Sequence, residues 1–589
     1  MKLNTIAAAA LLAALSAGTG HAAEPAAATA TQPADARAAR ALQALEAEQR
    51  VDNIYKLYVP NQTLARRALI SLHNQLMEAH LDEGYLIVQL DARDKQRLEG
   101  MGFTAERATD WLRERNQRLE RLKANGGASL LGRHARPGPG AESIPDFACF
   151  ETVEETADAA RALVGRYPRL ASLADIGDSW EKTQDDGGYD LQVLKLTNDR
   201  IAGPKPILFV DSAIHAREYA TAPLMLDFAR LLTKGYGNNA DATWILDHHE
   251  IHLLLQTNPD GRKRAEAGAL WRKNTDTYCT AGAPLALQGV DLNRNFSYSW
   301  NSTGGVGSSG AKCSETYRGP SASSEPETQA VENYIRSLWP DRRGPGLDDP
   351  APADTSGIHL DIHSFAQLVL WPWGVREAPA PNGPALQALG RRFAYFNNYT
   401  PQQSIGLYPT DGTSDSPSYG ELGVAAFTFE IGSAFFESCS TYKSTVRPDN
   451  LPALLYAAKM VRTPYLTAGG PDVTEVGLGK DAAGGGVAAG TRVPLRASAT
   501  DLRFNNSNGT EPTQNIAAAE IYIDTPPWLA GAVPRALQAV DGAFDAKTET
   551  VGGVIRTDGL AKGRHLVYVR ARDASNTWGP FSATFLVIR

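Results

Sequence analysis

The sequence lacks long apolar runs, dense basic segments and the short motif of one large hydrolase class. Beyond the amino terminus, no stretch reaches the ~18 uninterrupted apolar residues of a membrane helix. The net charge is −8 and no basic run is dense enough to override it, which argues against nucleic acid as a partner. No G-x-S-x-G segment occurs, so a serine hydrolase has little support. We therefore expect a soluble protein with no membrane span.

The amino terminus has the pattern of a secretory signal peptide. Lys2 precedes an apolar stretch from Ile6 to Leu15, and small residues follow up to Ala22. The apolar stretch is too short to span a bilayer. We expect residues 1–22 to be removed on export, and the mature chain to be secreted or periplasmic.

Cysteine is scarce, with four residues, and none of them forms a C-x-x-C pair, which disfavours a structural zinc site. Export instead makes the cysteines candidates for disulfides. Of the three possible connectivities we prefer Cys279–Cys313, which share a loop-rich region, together with Cys149–Cys439, which lie near the two ends of the central block.

The length of 589 residues suggests about three domains, and the first is a small α+β unit at residues 23–144. Strands are predicted at Ile54–Val59 and Tyr85–Leu90, and helices at Leu64–His80 and Ala105–Ala124. A Gly/Pro/Arg-rich run ends this unit and has the composition of a linker that is open to proteolysis.

The other two parts differ in periodicity. In residues 145–468, apolar strands alternate with helical patterns, which predicts an α/β fold with a central sheet and helices on both faces. In residues 469–589, short runs such as HLVYVRARD and ATFLVIR alternate with period two. We expect this last part to form a β-sandwich.

The stretch Ile207–Pro223 has the strongest local chemistry. The apolar strand Ile207–Val210 runs into a polar turn with His215, Arg217 and Glu218, and a helical pattern follows. Such a turn lies at the carboxyl edge of a sheet, where α/β proteins bind ligands. His215 and Glu218 are three residues apart, so one helical turn brings both to the same side. Both are zinc ligands, but a catalytic zinc needs a third; the alternative is a surface turn with ordinary charges.

The third ligand should come from the end of another strand. Ile358–His363 carries His359, Asp361 and His363 on one face, because strand side chains alternate. This spacing cannot decide which histidine binds, and we favour His363 because it is closer to the strand's end. The segment His249–His252 is one residue short of H-E-x-x-H, so it cannot place two histidines at i and i+4 of a helix.

Seven ordered motifs resemble the zinc metallocarboxypeptidases of the carboxypeptidase A and B type: HAREYA, NPDGR, WRKN, GVDLNRNF, DIHSF, LYPTDGTSD and FTFEIG. The resemblance covers about residues 148–465 and implies a carboxypeptidase-like mixed sheet that holds one Zn²⁺. His215, Glu218 and His363 match the family's zinc ligands. Asp291 matches the acid that hydrogen-bonds the first zinc histidine and fixes its orientation.

Glu430 is the candidate general base. It is the only carboxylate in the apolar run GVAAFTFEIG, and a buried strand rarely carries one without a purpose. Near a metal it could accept the proton of a bound water and deliver it to the leaving amine. The alternative is a strand-end glutamate paired with an arginine; the resemblance favours the base, because Glu430 matches it in the family.

An exopeptidase must also bind a free carboxylate, for which planar arginine is suited. Asn293 and Arg294 match the family's carboxylate clamp, and Tyr408 matches the mobile tyrosine that closes over substrate. Arg272 matches the residue that stabilises the oxyanion. Arg217, in the HAREYA motif, is also expected to bind substrate. Taken singly, each would more often be a surface ion pair or a packed aromatic.

Side-chain specificity depends on the residue seven positions beyond the mobile tyrosine, which in this family is apolar in A-type enzymes and aspartate in B-type enzymes. Counting from Tyr408 gives Asp415. An acid at the base of the pocket favours C-terminal Lys or Arg by charge pairing. The surrounding loop is hydrophilic, so a register slip of one or two residues would leave Asp415 solvated.

These observations predict an exported zinc metallocarboxypeptidase that acts on peptide or protein C-termini. The N-terminal unit resembles the family's inhibitory pro-segments in size and position, and an activating protease is expected to cut near Arg133 or Arg136. Two alternatives stay open. One is a relative that cleaves peptidoglycan stem peptides, and the other is a zinc-free binding or adhesion protein that has kept the fold.

Overall fold

The computed structural model describes residues 34–589 apart from 62–63, 65–67, 69–71, 73–74, 81–82, 125–142, 145, 186 and 280–281. The expected signal peptide and the predicted cleavage sites at Arg133 and Arg136 lie outside the described residues. Across the described segments, no helix combines the length and apolar character needed to cross a membrane.

The N-terminal unit contains an antiparallel sheet, and three of its helices can be given bounds from the described residues. Its strand order is β2-β3-β1-β4. The elements are α1 (Ala34–Gln49), β1 (Ile54–Tyr58), β2 (Leu76–His80), β3 (Tyr85–Gln89), α2 (Ala92–Gly100), β4 (Thr104–Arg107) and α3 (Thr109–Ala124).

Two helix predictions in this unit were wrong at one end. The predicted helix Leu64–His80 ends in strand β2, and the predicted helix Ala105–Ala124 begins only at Thr109, after strand β4. In both cases the segment is held as a strand by pairing with other parts of the chain, and β4 pairs with β1. β2 pairs with β3 on one side and, through Glu78, with Ala434 on the other. Tertiary pairing therefore overrides the local helical pattern.

The central part is built on an eight-stranded mixed sheet of order β11-β10-β12-β9-β7-β8-β6-β5. Its strands are β5 (Ala171–Asp178), β6 (Asp190–Leu196), β7 (Ile207–Ser212), β8 (Glu250–Leu254), β9 (Ile358–His363), β10 (Leu368–Trp371), β11 (Thr400–Gln403) and β12 (Ala425–Glu430). The four middle strands, from β12 to β8, are parallel, and antiparallel pairs flank them. Their carboxyl ends therefore lie at one edge of the sheet.

Helices cover both faces of this sheet, as predicted. They are α4 (Val153–Arg166), α5 (Trp180–Thr183), α6 (Thr221–Gly235), α7 (Ala240–His248), α8 (Pro259–Glu266), α9 (Pro326–Leu338), α10 (Gly383–Asn397), α11 (Cys439–Thr441), α12 (Arg447–Met460) and α13 (Pro464–Thr467). Alternate residues of β7 show the two layers: Leu208 and Val210 pack in a cluster with α6, whereas Phe209 packs in a second cluster with Val331 of α9.

The last part is a seven-stranded antiparallel sheet of order β13-β14-β17-β16-β15-β18-β19. The strands are β13 (Asp472–Leu478), β14 (Arg492–Thr500), β15 (Ile516–Ile523), β16 (Arg535–Ala539), β17 (Thr548–Arg556), β18 (Gly563–Asp573) and β19 (Ser582–Ile588). β16 pairs with both β15 and β17 and so joins two halves. Leu495 of one half and Val569 of the other lie in one hydrophobic core, which is the packing of a sandwich.

The C-terminal sheet is fixed to the central part by buried contacts. The guanidinium of Arg392, in α10, donates to Asp472 Oδ2 at 3.0 Å and to the carbonyl of Ala468 at 2.7 Å. Trp528 and Tyr568 belong to the same hydrophobic cluster as Trp244 and the central sheet. Both disulfides also have the expected pairing, Cys149–Cys439 and Cys279–Cys313.

Candidate active site

The turn after β7 places the first two candidate ligands. Thr221 holds this turn closed, because its hydroxyl accepts from the backbone N–H of Ala213 at 3.1 Å and donates to the carbonyl of Glu218 at 3.0 Å. The backbone N–H of Glu218 donates to the carbonyl of His215 at 3.2 Å, so a tight turn separates these residues, and the Nδ1 of His215 lies 2.7 Å from Oε1 of Glu218. Both side chains are buried.

The end of β9 brings the third residue to the same point. His363 Nδ1 lies 3.1 Å from Glu218 Oε2, and the two imidazole rings of His215 and His363 are 4.6 Å apart. Within the described part of the chain, these three residues are the one group of His, Cys, Asp or Glu side chains whose ligand atoms lie within 4.8 Å of one another. Residues 148 positions apart in sequence thus converge at the carboxyl edge of the sheet.

A carboxylate supports each histidine from behind. His215 Nε2 lies 3.1 Å from Asp291 Oδ1, and His363 Nε2 lies 2.8 Å from Asp361 Oδ2. Since carboxylates only accept, each Nε2 carries the proton, and each Nδ1 lone pair then faces the oxygens of Glu218. A cation held between the two Nδ1 atoms and the carboxylate would bind all three groups at once. Two imidazoles and a carboxylate are a donor set that fits zinc.

Asp291 also positions a guanidinium. Its Oδ2 accepts from Arg272 Nε at 3.1 Å and from Nη2 at 2.9 Å. Burial alone would raise the pKa of Asp291, but the charges of Arg272 and His215 hold it well below its usual range. One ionised carboxylate therefore fixes both a candidate metal ligand and the candidate oxyanion residue.

Strand spacing alone cannot decide between His359 and His363, of which we favour His363, and the structure places the two histidines differently. His359 is fully buried, with Nε2 at 2.8 Å from Asp211 Oδ1 and Nδ1 at 2.8 Å from Ser418 Oγ. Asp211 lies opposite Asp361 in the β7–β9 pairing. His359 thus belongs to a polar network beneath the site and is not a member of the ligand group.

Glu430 lies beside His363 because β9 and β12 are parallel neighbours that pair these two residues. Its side chain lines the same cavity as the three candidate ligands, is only 7% exposed, and its Oε2 has no hydrogen-bond partner among the described residues. Burial raises the pKa of Glu430 to about 7. A buried strand carboxylate with an unsatisfied oxygen is costly for folding, which points to a functional role.

The candidate carboxylate clamp lines this cavity too. Arg294 Nη2 donates to Tyr408 Oη at 2.9 Å, and its Nε donates to the carbonyl of Gly307 at 2.9 Å. Asn293 accepts from the backbone N–H of Ser414 at 2.7 Å and donates to Asp361 at 3.2 Å. The guanidinium of Arg294, the amide of Asn293 and the phenol of Tyr408 therefore line the same cavity as the candidate metal ligands.

Asp415 lies in the wall of the same cavity and is 6% exposed. One of its oxygens accepts from Thr413 Oγ1 at 2.7 Å. Burial raises the pKa of Asp415. Aromatic residues, including Trp373 and Tyr419, line the cavity near it. The loop register therefore buries this carboxylate instead of leaving it in solvent.

Arg217 is placed apart from the other predicted substrate-binding residues. Its guanidinium pairs with Glu315 at 2.8 Å and lies 3.9 Å from the centre of the Phe435 ring. It is not among the residues that line the cavity. Its described contacts tie the turn after β7 to neighbouring loops, which is a packing role.

The hydrogen bond between Asp361 and His363 was not predicted from the sequence. Strand alternation showed only that both residues lie on the same face. Since a carboxylate behind a ligating histidine raises the basicity of that ligand, we expect Asp361→Ser to lower zinc affinity by about 10- to 100-fold. Competition with a chromophoric chelator measures this affinity without any activity assay. Equal affinities in Asp361→Ser and the unchanged chain would contradict the expectation.

Comparison with known proteins agrees with this geometry. Residues 156–446 match the family model described as zinc carboxypeptidase. The central part of the chain belongs to the zinc carboxypeptidase family. Human carboxypeptidase A1 is 31% identical over 297 residues, which cover 49% of this chain and 63% of the human protein. A zinc carboxypeptidase from Saccharothrix mutabilis subsp. capreolus is 28% identical over 311 residues, covering 50% and 65%. The match thus spans less than two thirds of either relative.

One solved structure is similar in fold over a larger share of the chain. Carboxypeptidase A from Helicoverpa armigera has a TM-score of 0.50 and 20% sequence identity, and the alignment covers 71% of this chain and 98% of that one. At this identity the likeness shows the fold alone. The carboxypeptidase-like mixed sheet predicted from the motifs is therefore confirmed.

Proposed function

We propose that this protein is an exported zinc carboxypeptidase that removes C-terminal residues from peptides or proteins and prefers Lys or Arg. The observation that carries the proposal is the convergence of His215, Glu218 and His363 in one cavity with the buried, unsatisfied carboxylate of Glu430. Family membership of residues 156–446 supports the same activity.

His215, Glu218 and His363 would hold the metal. When bound there, Zn²⁺ lowers the pKa of a water and polarises a carbonyl oxygen. Glu430 lies in the same cavity and can take a proton from the attacking water and later deliver it to the leaving amine. Arg272, oriented by Asp291, offers positive charge to the developing oxyanion.

The substrate's end would be held on the other side of the cavity. Arg294, Asn293 and Tyr408 can together receive the terminal carboxylate, with Arg294 and Tyr408 already 2.9 Å apart. Recognition of a free carboxylate next to a hydrolytic centre restricts cleavage to the last peptide bond. Asp415 would pair with a basic terminal side chain, which offsets the cost of its burial.

The N-terminal unit is proposed to be a pro-segment that restrains access to this cavity. The backbone N–H of Ala79 donates to the carbonyl of Ser433 at 3.1 Å, and Phe365 and Phe435 pack in one hydrophobic cluster with Leu57 and Leu86. Phe365 lies two residues beyond His363, so this packing reaches the rim of the site. Cleavage near Arg133 or Arg136 would then release activity.

The function is tested on the purified chain, before and after limited trypsin cleavage, with a peptide that ends in Lys. We expect release of single C-terminal residues after cleavage, loss of activity with a chelator, and recovery with Zn²⁺. Metal analysis should give one zinc per chain. Full activity of the uncut chain would contradict the pro-segment. Hydrolysis of muropeptides alone would assign a peptidoglycan substrate, and a chain that binds no zinc would be an inactive relative.

A further inference from the structure

A second cavity, of about 330 Å³, lies between the central part and the C-terminal sheet. Its aromatic side chains come from both parts. Trp244 and His249, from the central part, have ring centres 5.2 Å apart, and Trp528, from the C-terminal part, lies 6.2 Å from Trp244 and 5.5 Å from Phe581, so these rings form one continuous aromatic wall. This volume is at the lower end of the range of small-molecule sites.

The charges that line this cavity have one sign. Lys459, Arg462 and Arg570 line it, and its described lining contains no Asp or Glu. Two of these cations have carboxylate partners elsewhere, since Lys459 lies 2.5 Å from Asp241 and Arg570 lies 2.7 Å from Glu520. The third does not have an acidic partner within the described residues.

Arg462 is therefore a half-buried cation that has no acidic partner in the described part of the chain. Its guanidinium stacks on the ring of Trp528, at 4.1 Å from the ring centre, and its Nη2 donates to the carbonyl of His248 at 3.3 Å. Burial lowers the pKa of Arg462 to about 10. A buried guanidinium without a counter-charge costs free energy that an anionic ligand would offset.

Three polar atoms in the walls also lack partners among the described residues: Arg462 Nε, Trp528 Nε1 and His249 Nε2. His249 is 1% exposed, and its Nδ1 donates to the carbonyl of Ala458 at 2.9 Å. Because burial also lowers the pKa of His249 well below its usual value, the ring is neutral and Nε2 is an acceptor. The walls thus offer two donors beside a cation, and one acceptor.

We propose that this interdomain cavity binds a small aromatic carboxylate, whose carboxylate accepts from Arg462 and Trp528 and whose ring packs against the aromatic wall. A hydroxyl or amino substituent could donate to His249. An inorganic anion would leave the apolar walls unfilled, and a cation would face three basic side chains. The site is separate from the catalytic cavity and shares no lining residue with it.

Phenylacetate is a suitable probe, but the carboxylate clamp of the catalytic cavity could also bind it. The titration is therefore made by calorimetry in Arg294→Met, which disables the clamp. We expect saturable binding of one phenylacetate per chain, and acetate should bind at least about tenfold more weakly because it buries no ring. Absence of saturable binding in Arg294→Met would overturn the proposal.

The matched variants are Arg462→Met and Arg447→Met, both in the Arg294→Met background. Arg462→Met keeps an apolar stem but removes the charge, and it should weaken phenylacetate binding by about tenfold or more. Arg447→Met, at an exposed arginine of α12, should leave binding unchanged. Unchanged binding in Arg462→Met would overturn the proposal.

Discussion

Glu430→Gln is expected to lower kcat for a C-terminal Lys peptide by about 10²- to 10⁴-fold while leaving zinc content unchanged. The amide fills the same space but cannot take a proton from water. Glu430 is not one of the three residues that face one another at the metal position, so the ligand group stays complete. Single-turnover rates together with metal analysis measure the two quantities.

Stability provides the second measurement for this variant. Because Oε2 of Glu430 is buried without a described hydrogen-bond partner, removing the carboxylate should leave the melting temperature equal or higher. Glu377→Gln, at an exposed position in the same part of the chain, serves as the control and should change neither rate nor melting temperature. A Glu430→Gln protein that keeps its full rate would remove Glu430 from the mechanism.

The parts of the candidate site that could be predicted from the sequence alone are those whose residues lie close together in sequence or at the end of a recognisable strand. His215 and Glu218 lie three residues apart in one turn, and His363 ends an apolar strand, so short spacings were sufficient to group them. The roles of Asp291, Arg272 and Arg294 came only from ordered motifs, because none of the three lies on a strand of the sheet. The structure joins Arg272 to Asp291 and places Arg272 and Arg294 in the lining of the cavity, whereas their roles stay predictions.

Contacts set by pairing between distant strands could not be predicted. Asp211 meets His359 because of the register between β7 and β9, which a single sequence does not state. β11 has no clear signal in the sequence for a related reason. Thr400–Gln403 has no apolar alternation and is a strand only through its parallel pairing with β10. The N-terminal helix prediction failed at β2, which pairs with β3 and, through Glu78, with the distant Ala434.

The other large expected effect is on substrate preference and concerns Asp415, whose buried carboxylate interacts more strongly with a counter-charge than an exposed one would. In water an exposed ion pair contributes little, but Asp415 is 6% exposed and its described hydrogen bond comes from one hydroxyl. A terminal Lys or Arg that enters the cavity would supply the missing counter-charge. An apolar side chain would instead leave the carboxylate buried and unpaired.

Asp415→Asn should therefore reduce the ratio of kcat/KM for Lys over Phe substrates by roughly two orders of magnitude, mostly through loss of activity on Lys. The amide keeps the shape and can still accept from Thr413. Asp411→Asn is the matched control, because Asp411 is a buried aspartate of the same loop that accepts from Thr303 at 2.6 Å and does not line the cavity. It should leave the ratio unchanged even if it lowers stability. An unchanged chain that prefers Phe, or a ratio that Asp411→Asn alters as much as Asp415→Asn, would show that Asp415 does not select the substrate.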